Sequence, residues 1–238
     1  MHWRCLDTGI RNAAANMALD SALLADAEYE REATLHFYEW EREAATFGYF
    51  IDPKKFLNLE EIVNKKIDLA KRPTGGGIIF HNCDLAFSII VPASHPAFSN
   101  NSLENYAFVN RRVVEIITSM TDLSTHLFVE NLEPFDNDCK SFCMAMPTKY
   151  DVMIQGKKVG GAAQRKTKYG YLHQGSIAIG SPSEGDLCQV LNQKTKVFDA
   201  IRANSFSFLG ENWTRKELEE IRSELRIHLK KRFMAEDL

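Results

Sequence analysis

Residues 71–82, KRPTGGGIIFHN, place three consecutive glycines between a basic pair and an apolar run that ends in a histidine. Three positions without side chains cannot sit inside a stable helix or a well-packed strand. The chain must therefore turn there, or let another group approach its backbone closely. The run also fits neither established phosphate loop. It lacks G-x-x-x-x-G-K-[ST], and Gly75, Gly76 and Gly77 lack the spacing of G-x-G-x-x-G.

The flanking patterns set the fold class. Residues 13–26 carry Ala14, Met17, Ala18 and Leu24 near helical spacing, after a turn at Thr8 and Gly9, and predict an amphipathic helix. ATLHFYEW and AATFGYF alternate and are rich in aromatics, which predicts two strands. Residues 58–69, through Leu59, Ile62, Val63 and Ile67, read as a helix that delivers the chain to the glycines. GIIF and LAFSIIVP, separated by the turn-prone His81-Asn82-Cys83-Asp84, read as a hairpin.

The stripe Tyr106, Val109, Val113, Ile116, Ile117 and Met120 predicts a core helix over Ser102–Met120, opened by a capping box at Asn101 and Glu104. The segment from residue 130 to Tyr150 is polar and turn-rich. YDVMI and GSIAIG (residues 175–180) then read as strands. Thr214 and Glu217 open a closing helix through Leu218, Ile221, Leu225 and Leu229. Strands and helices mix without repeats or a linker, so an α+β domain is expected.

Composition narrows the function. Hydrophobic residues make up 45% and charged residues 26%, the profile of an ordinary globular chain. A net charge of −3, with Lys and Arg dispersed, argues against nucleic acid as the main partner. No stretch approaches the roughly 18 apolar residues of a membrane span, and the N-terminus has no apolar signal core, so a cytoplasmic protein without a membrane partner is expected. Cys5, Cys83, Cys139, Cys143 and Cys188 form an odd set without C-x-x-C, which makes a disulfide framework unexpected. The C-x-x-x-C spacing of Cys139 and Cys143 has no matching second pair of ligands, so no metal site is expected.

A second glycine-lysine cluster, QGKKVGGAAQRKTKYG at residues 155–170, suggests a pocket with two glycine-lined walls. A lysine ahead of such a run suits a carboxylate, a phosphate or a developing oxyanion. Cys143, in the loop before it, is either a small buried apolar residue or a nucleophile.

These residues resemble the lipoate-protein ligase and octanoyltransferase group, whose catalytic domain is related to that of biotin protein ligases. KRPTGGGIIFH is similar to the group's basic-basic-x-[ST]-G-G-[GR]-x-V-x-H, with Lys71, Arg72, Thr74, Gly75, Gly76, Gly77 and His81 in the matching places. GKKVGGAAQ is similar to G-[RK]-K-[IV]-x-G-x-A-[QY] and puts the signature lysine at Lys158, with Gly161 and Ala163 beyond it. LHQGSI resembles H-G-[ST]-[IL], except that Gln174 occupies the histidine position and His173 stands one place earlier. Gly77 replaces an arginine frequent among the cysteine-dependent transferases, and Lys71 replaces the usual arginine.

The resemblance covers most of the chain. It implies one biotin/lipoate protein ligase-like catalytic domain over residues 1–238, a mixed β-sheet flanked by helices, with an acyl pocket over the sheet and no C-terminal accessory domain. Lys71, Arg72, Thr74, Gly75, Gly76, Gly77, His81, Gly161 and Ala163 would bind substrate.

CMAMPTKYDVMIQGKKVGGAAQ resembles the cysteine-containing octanoyltransferase pattern, with Cys143 fifteen positions before Lys158. That implies an acyltransferase of protein lipoylation with Cys143 and Lys158 catalytic. Octanoyl or lipoyl would pass from acyl carrier protein, through a Cys143 thioester, to a lysine of a lipoyl-carrier domain such as the glycine cleavage H protein or a 2-oxoacid dehydrogenase E2, with no cofactor. Cys139 does not match the pattern. The alternative is an ATP- and magnesium-dependent lipoate-protein ligase acting through an adenylate, with Cys143 structural. A third reading is a binder of acylated carriers that has lost its chemistry.

Overall fold

The computed structural model describes residues 2–130, 139–192 and 196–235, so residues 131–138 of the expected turn-rich stretch lie outside it. In chain order the elements are β1 (Trp3–Arg11), α1 (Ala13–Asp26), β2 (Ala33–Trp40), β3 (Ala44–Phe47), α2 (Leu59–Asn64), β4 (Asp68–Lys71), β5 (Ile78–His81) and β6 (Asp84–Pro92). Then come α3 (Ser102–Met120), β7 (Thr125–Leu127), β8 (Val152–Ile154), β9 (Lys157–Lys166), β10 (Gly170–Ala178), α4 (Glu184–Val190), α5 (Lys196–Asn204) and α6 (Arg215–Met234).

The strands form a seven-stranded sheet in the order β1-β2-β6-β10-β9-β8-β7 and a three-stranded sheet in the order β4-β3-β5. Each sheet is mixed: β1 and β2 run parallel, as do β3 and β4, while the other pairs are antiparallel. The α+β expectation, a mixed sheet flanked by helices, holds.

Side chains alternate along the large sheet and give it two unlike faces. Leu35, Phe37, Leu85, Phe87 and Ile89 bury against Val109, Val113, Ile116 and Ile117 of α3 and Leu218, Leu225 and Leu229 of α6. Full burial of each such residue is worth about 1.5–3 kcal/mol. This face, with α3 and α6 on it, holds the fold together. The opposite face carries His36, Asp84, Ser88, Gln174 and Ser176, all buried, and it is covered by α1 and the small sheet.

Polar side chains in buried strands need partners. Asp20 of α1 supplies several. It accepts from Ser88 Oγ and from Gln174 Nε2, each at 2.6 Å, and it meets His36 Nδ1 at 2.8 Å.

The helices at Ala13–Asp26 and Ser102–Met120 match their expected spans, and α6 opens on the expected reciprocal box. Thr214 N donates to Glu217 Oε2 at 2.8 Å, and Glu217 N donates to Thr214 Oγ1 at 3.3 Å. The box expected at α3 is only half made. Asn101 Oδ1 caps Leu103 N at 3.0 Å, while Glu104 turns to the Ser99 hydroxyl instead.

Three other expectations need correction. The helix over residues 58–69 stops at Asn64, Lys66 takes a left-handed φ of 56°, and Asp68–Lys71 joins the small sheet, where Leu69 is partly buried against the second apolar cluster. GIIF and LAFSIIVP form no hairpin. β5 pairs with β3 in the small sheet, whereas β6 pairs with β2 and β10 in the large one, so Asn82 and Cys83 step between layers. The turn at Thr8 and Gly9 is a bulge inside β1.

Candidate active site

β9 enters the large sheet through an irregularity that decides where its lysine points. Val152 pairs with Gly160, and the next residue, Met153, pairs with Lys158, so Val159 is an extra residue on β9. Without it Lys158 would share the face of Gly160 and Val152 and point into the α3/α6 core. The bulge re-aims it to the polar face.

There Lys158 is buried. Its Nζ lies 2.7 Å from Asp151 Oδ2 and donates to the backbone carbonyl of Cys143 at 2.6 Å. The same Asp151 oxygen accepts from Thr148 N at 2.7 Å and from Thr148 Oγ1 at 2.9 Å, which fixes the carboxylate. Asn110 of α3 donates to Tyr150 O at 2.7 Å and anchors the loop that carries Asp151. The lysine side chain runs over Gly161. A Cβ at that glycine would sit 2.4 Å from Lys158 Cε and 2.6 Å from Nζ. Gly161 is therefore bare because the lysine occupies its side-chain space.

The glycine loop lies across from β9. Gly76 has a φ of +85°, open to glycine at no cost, and a Cβ on it would meet Ala163 Cβ at 3.4 Å and Cys143 Sγ at 3.8 Å. At Gly77 the neighbour is backbone: a Cβ would lie 2.4 Å from Ser141 O. The loop carrying Cys143 passes directly over Gly77, and Cys143 N donates to Ile78 O at 2.9 Å.

A Gly77→Ala substitution is expected to cost about 1–3 kcal/mol, the usual penalty of overpacking, because neither backbone can yield without pulling Cys143 out of register. Urea unfolding of the variant checks this. A midpoint equal to that of the parent protein would show that the crossing is looser than drawn.

Arg72 is buried and knits the loop together. Its Nη1 donates to Thr46 O at 3.0 Å and Oγ1 at 2.9 Å, and its Nη2 donates to Gly75 O at 3.1 Å and Gly77 O at 2.7 Å. The same Nη2 is 3.8 Å from Cys143 Sγ. The carbonyls of the glycine loop are thus turned toward a cation, while the N–H groups of Gly75, Gly76 and Gly77 donate to no acceptor among the described residues.

His81 meets Thr46 Oγ1 through Nε2 at 2.9 Å and Asp84 Oδ2 through Nδ1 at 2.8 Å, and it stacks on Trp40. Asp84 also accepts from Ser176 Oγ at 2.6 Å. Burial pushes the Asp84 carboxyl up, but the charge and hydrogen bond of His81, with help from Ser176 and Arg222, leave it below its ordinary value.

Most of the expected residues line one cavity of about 360 Å³ on the polar face. Cys143, Lys158, Arg72, Gly76, Gly77, His81, Gly161 and Ala163 all reach it, among Met17, Ile51, Ile79, Phe142 and Met144. Its size falls within the roughly 300–1,000 Å³ of small-molecule sites, and its lining is mainly apolar. Gly75 and Thr74 stand behind it, and Thr74 donates to Gln174 Oε1 at 2.6 Å. Lys71 lies outside, exposed, with Nζ 4.0 Å from the centre of the Tyr49 ring.

Cys139 is buried in the second apolar cluster with Leu57, Ile78 and Val197, away from the cavity. Gln174 lines the cavity, whereas His173 faces the opposite side of β10. There, burial alone lowers the His173 pKa to about 3, and Gln164 Nε2 meets its Nδ1 at 2.8 Å. Among the described residues no group of three His, Cys, Asp or Glu side chains is placed to hold a metal ion, and no helix is long and apolar enough to cross a membrane.

Thr148, Asn110 and Thr46 escaped the sequence reading as parts of the site. By sequence, Asp84 and Asp151 both lie near the proposed site and either could position Lys158, with no spacing to separate them from ordinary solvated carboxylates. Only the fold shows that Asp151 holds the lysine and Asp84 holds the histidine.

A glycine loop thus faces a glycine-bearing strand across an apolar cavity, with a lysine and a cysteine at one end. Residues 12–220 match the lipoyl protein ligase A/B catalytic domain, and the chain belongs to that family.

The chain is 32% identical over 182 residues to octanoyltransferase LipM of Halalkalibacterium halodurans, an alignment covering 74% of this chain and 66% of that one. It is 31% identical over 182 residues to octanoyltransferase LipM of Bacillus subtilis, covering 74% and 65%. It therefore spans just under two thirds of the length of these curated relatives. Its fold is similar to that of a bipartite lipoate protein ligase solved with its E2 lipoyl domain from Thermoplasma acidophilum. The TM-score is 0.66 at 21% identity, covering 98% of this chain and 84% of that one.

Proposed function

We propose that the chain is an octanoyltransferase of protein lipoylation that works through a thioester on Cys143. The observation that carries this reading is the placement of the Cys143 sulfur at an apolar cavity, 3.8 Å from the Arg72 guanidinium, with the Lys158 ammonium held on the carbonyl of the same residue. Similarity to proteins named octanoyltransferase LipM supports it.

In the first half-reaction the Cys143 sulfur attacks the carbonyl of an octanoyl thioester. The new S–C bond replaces the bond to the carrier sulfur, which leaves as the thiol with the proton given up by Cys143. In the second, the neutral amine of a target lysine attacks the Cys143 thioester. An amide forms, the Cys143 sulfur leaves and takes up the amine proton, and the enzyme is restored.

Each half passes through an oxyanion. An ammonium has three donors. Asp151 and the Cys143 carbonyl occupy two on Lys158, which leaves one for the cavity. The N–H of Cys143 is committed to Ile78 O. The oxyanion is therefore assigned to Lys158 and the glycine-loop N–H groups. Arg72 compensates the charge on sulfur when it departs.

Acyl carrier protein is the proposed donor. A lipoyl-carrier domain, such as an E2 or glycine cleavage H protein, is the proposed acceptor, with the cytoplasm as the site of action and no cofactor required. Intact mass spectrometry after two incubations tests the reading. An octanoyl adduct on Cys143 that hydroxylamine removes, formed from octanoyl-acyl carrier protein alone, is expected. No adduct there, with acyl-adenylate held after incubation with octanoate, ATP and magnesium, would replace it with ATP-dependent ligation.

A further inference from the structure

The cavity floor is a single row of residues running across the large sheet. Gly161 pairs with Ser176 and Ser176 pairs with Ala86. Tyr38 follows Phe37, which pairs with Phe87, and so lies beside Ala86 on the next strand. The floor therefore reads glycine, serine, alanine, tyrosine from β9 to β2. At about 4.8 Å per strand, the two spacings from Ser176 to Tyr38 that Lys158 leaves free make a trough of roughly 10 Å.

The sulfur sits at the β9 end, where Gly76 brings Ala163 and Cys143 together. Lys158 covers Gly161, the small side chains of Ser176 and Ala86 then leave the trough open, and Tyr38 closes it. The Tyr38 ring is buried edge-on to Trp40, and its hydroxyl lies 3.4 Å from Ser88 Oγ.

Behind Tyr38 lies a second cavity, of about 610 Å³, between β2, the His81 turn and α6. Tyr38, His81 and Ala86 line both cavities. His81 is fixed by Thr46, Asp84 and Trp40, so the partition has two replaceable parts: the size of residue 86 and the ring at residue 38.

An extended acyl chain advances about 1.25 Å per carbon, from C–C bonds of about 1.5 Å. An octanoyl group then spans roughly 9 Å and fits the trough with the tyrosine ring in place. A palmitoyl group spans roughly 19 Å and does not. Resting on the acyl-transfer reading above, we propose that Tyr38 and Ala86 set the length of the acyl chain this protein accepts, by walling the thiol cavity off from the cavity under α6.

The test compares the parent protein with Tyr38→Ala and Ala86→Leu variants. Each is offered hexanoyl, octanoyl, dodecanoyl and palmitoyl thioesters of coenzyme A, and the rate of adduct formation on Cys143 is read by intact mass. The same fatty acids, free in solution, are tested for a rise in Tm, a readout that needs no chemistry.

By vacating the apolar space of its ring at the end of the trough, Tyr38→Ala is expected to raise the dodecanoyl-to-octanoyl ratio about tenfold, and Ala86→Leu to lower octanoyl about tenfold while sparing hexanoyl, since one or two methylenes in an apolar pocket are worth that much. If Tyr38→Ala does not fold, Ala86→Leu carries the test from the opposite direction. An unchanged chain-length profile in the folded variants, by adduct or by Tm, overturns the proposal. If the parent protein forms no adduct with any thioester, the acyl-transfer reading falls, and the Tm profile still decides the partition.

Discussion

Replacing Cys143 by serine is expected to lower octanoyl transfer by at least about a thousandfold, because removing a nucleophile from a group of residues that act together forfeits most of the rate. The hydroxyl would occupy the same space beside Gly76 and Arg72, so the fold should be unharmed and the loss should lie in kcat. Among the described residues no base is hydrogen-bonded to the sulfur position to activate a serine. Arg72, 3.8 Å from the sulfur, only donates, and Lys158 is held by Asp151 and the Cys143 carbonyl.

Cys139→Ser is the matched control. Its side chain belongs to the second apolar cluster, so that change is expected to cost some stability and leave transfer within about twofold. Transfer assayed with octanoyl-acyl carrier protein and an isolated lipoyl domain decides the matter. Near-parent turnover by the Cys143→Ser protein would remove the thioester from the mechanism and return Cys143 to structure.

What could be read without the fold follows a physical division. α3 and the helix behind Thr214 were legible because a long apolar stripe at helical spacing has one common use, burial on a sheet. The two glycine clusters and the cysteine and lysine were legible as types and order. Their geometry was not.

The direction of Lys158 depends on one extra residue at Val159, and nothing in KKVGG distinguishes a bulge from a regular strand. The alternation that marked GIIF and LAFSIIVP as strands says nothing about their partners, so two strands separated by a short turn could enter different sheets. Residues 65–69 failed for a related reason. Ile67, just before β4, and Leu69, within it, pack against the same apolar cluster, so their apolar spacing does not distinguish a strand from a helix. The polar lining of a buried face was written in the sequence at His36, Ser88 and Gln174. It became readable only once Asp20 on α1 was placed against it.

The Lys158–Asp151 pair separates catalysis from stability in a way that a single substitution does not. Both groups are almost fully buried, and an ion pair in that setting is held together at a desolvation cost that each partner offsets for the other. Lys158→Met should therefore do two things. Transfer should fall by roughly a hundredfold to a thousandfold through loss of the oxyanion donor. Stability should fall by about 3–5 kcal/mol, because the Asp151 carboxylate is left with Thr148 alone.

Adding Asp151→Asn removes the stranded charge, so the double variant is expected to regain much of the stability while remaining inactive. Asp151→Asn alone should keep the lysine near the cavity but free it to swing away from Gly161, which lowers kcat more than it raises KM. Urea unfolding and octanoyl loading measured on all four proteins give the complete cycle. Recovery of loading together with stability in the double variant would mean that Lys158 only fills space over Gly161, and the oxyanion would then belong to the glycine loop alone.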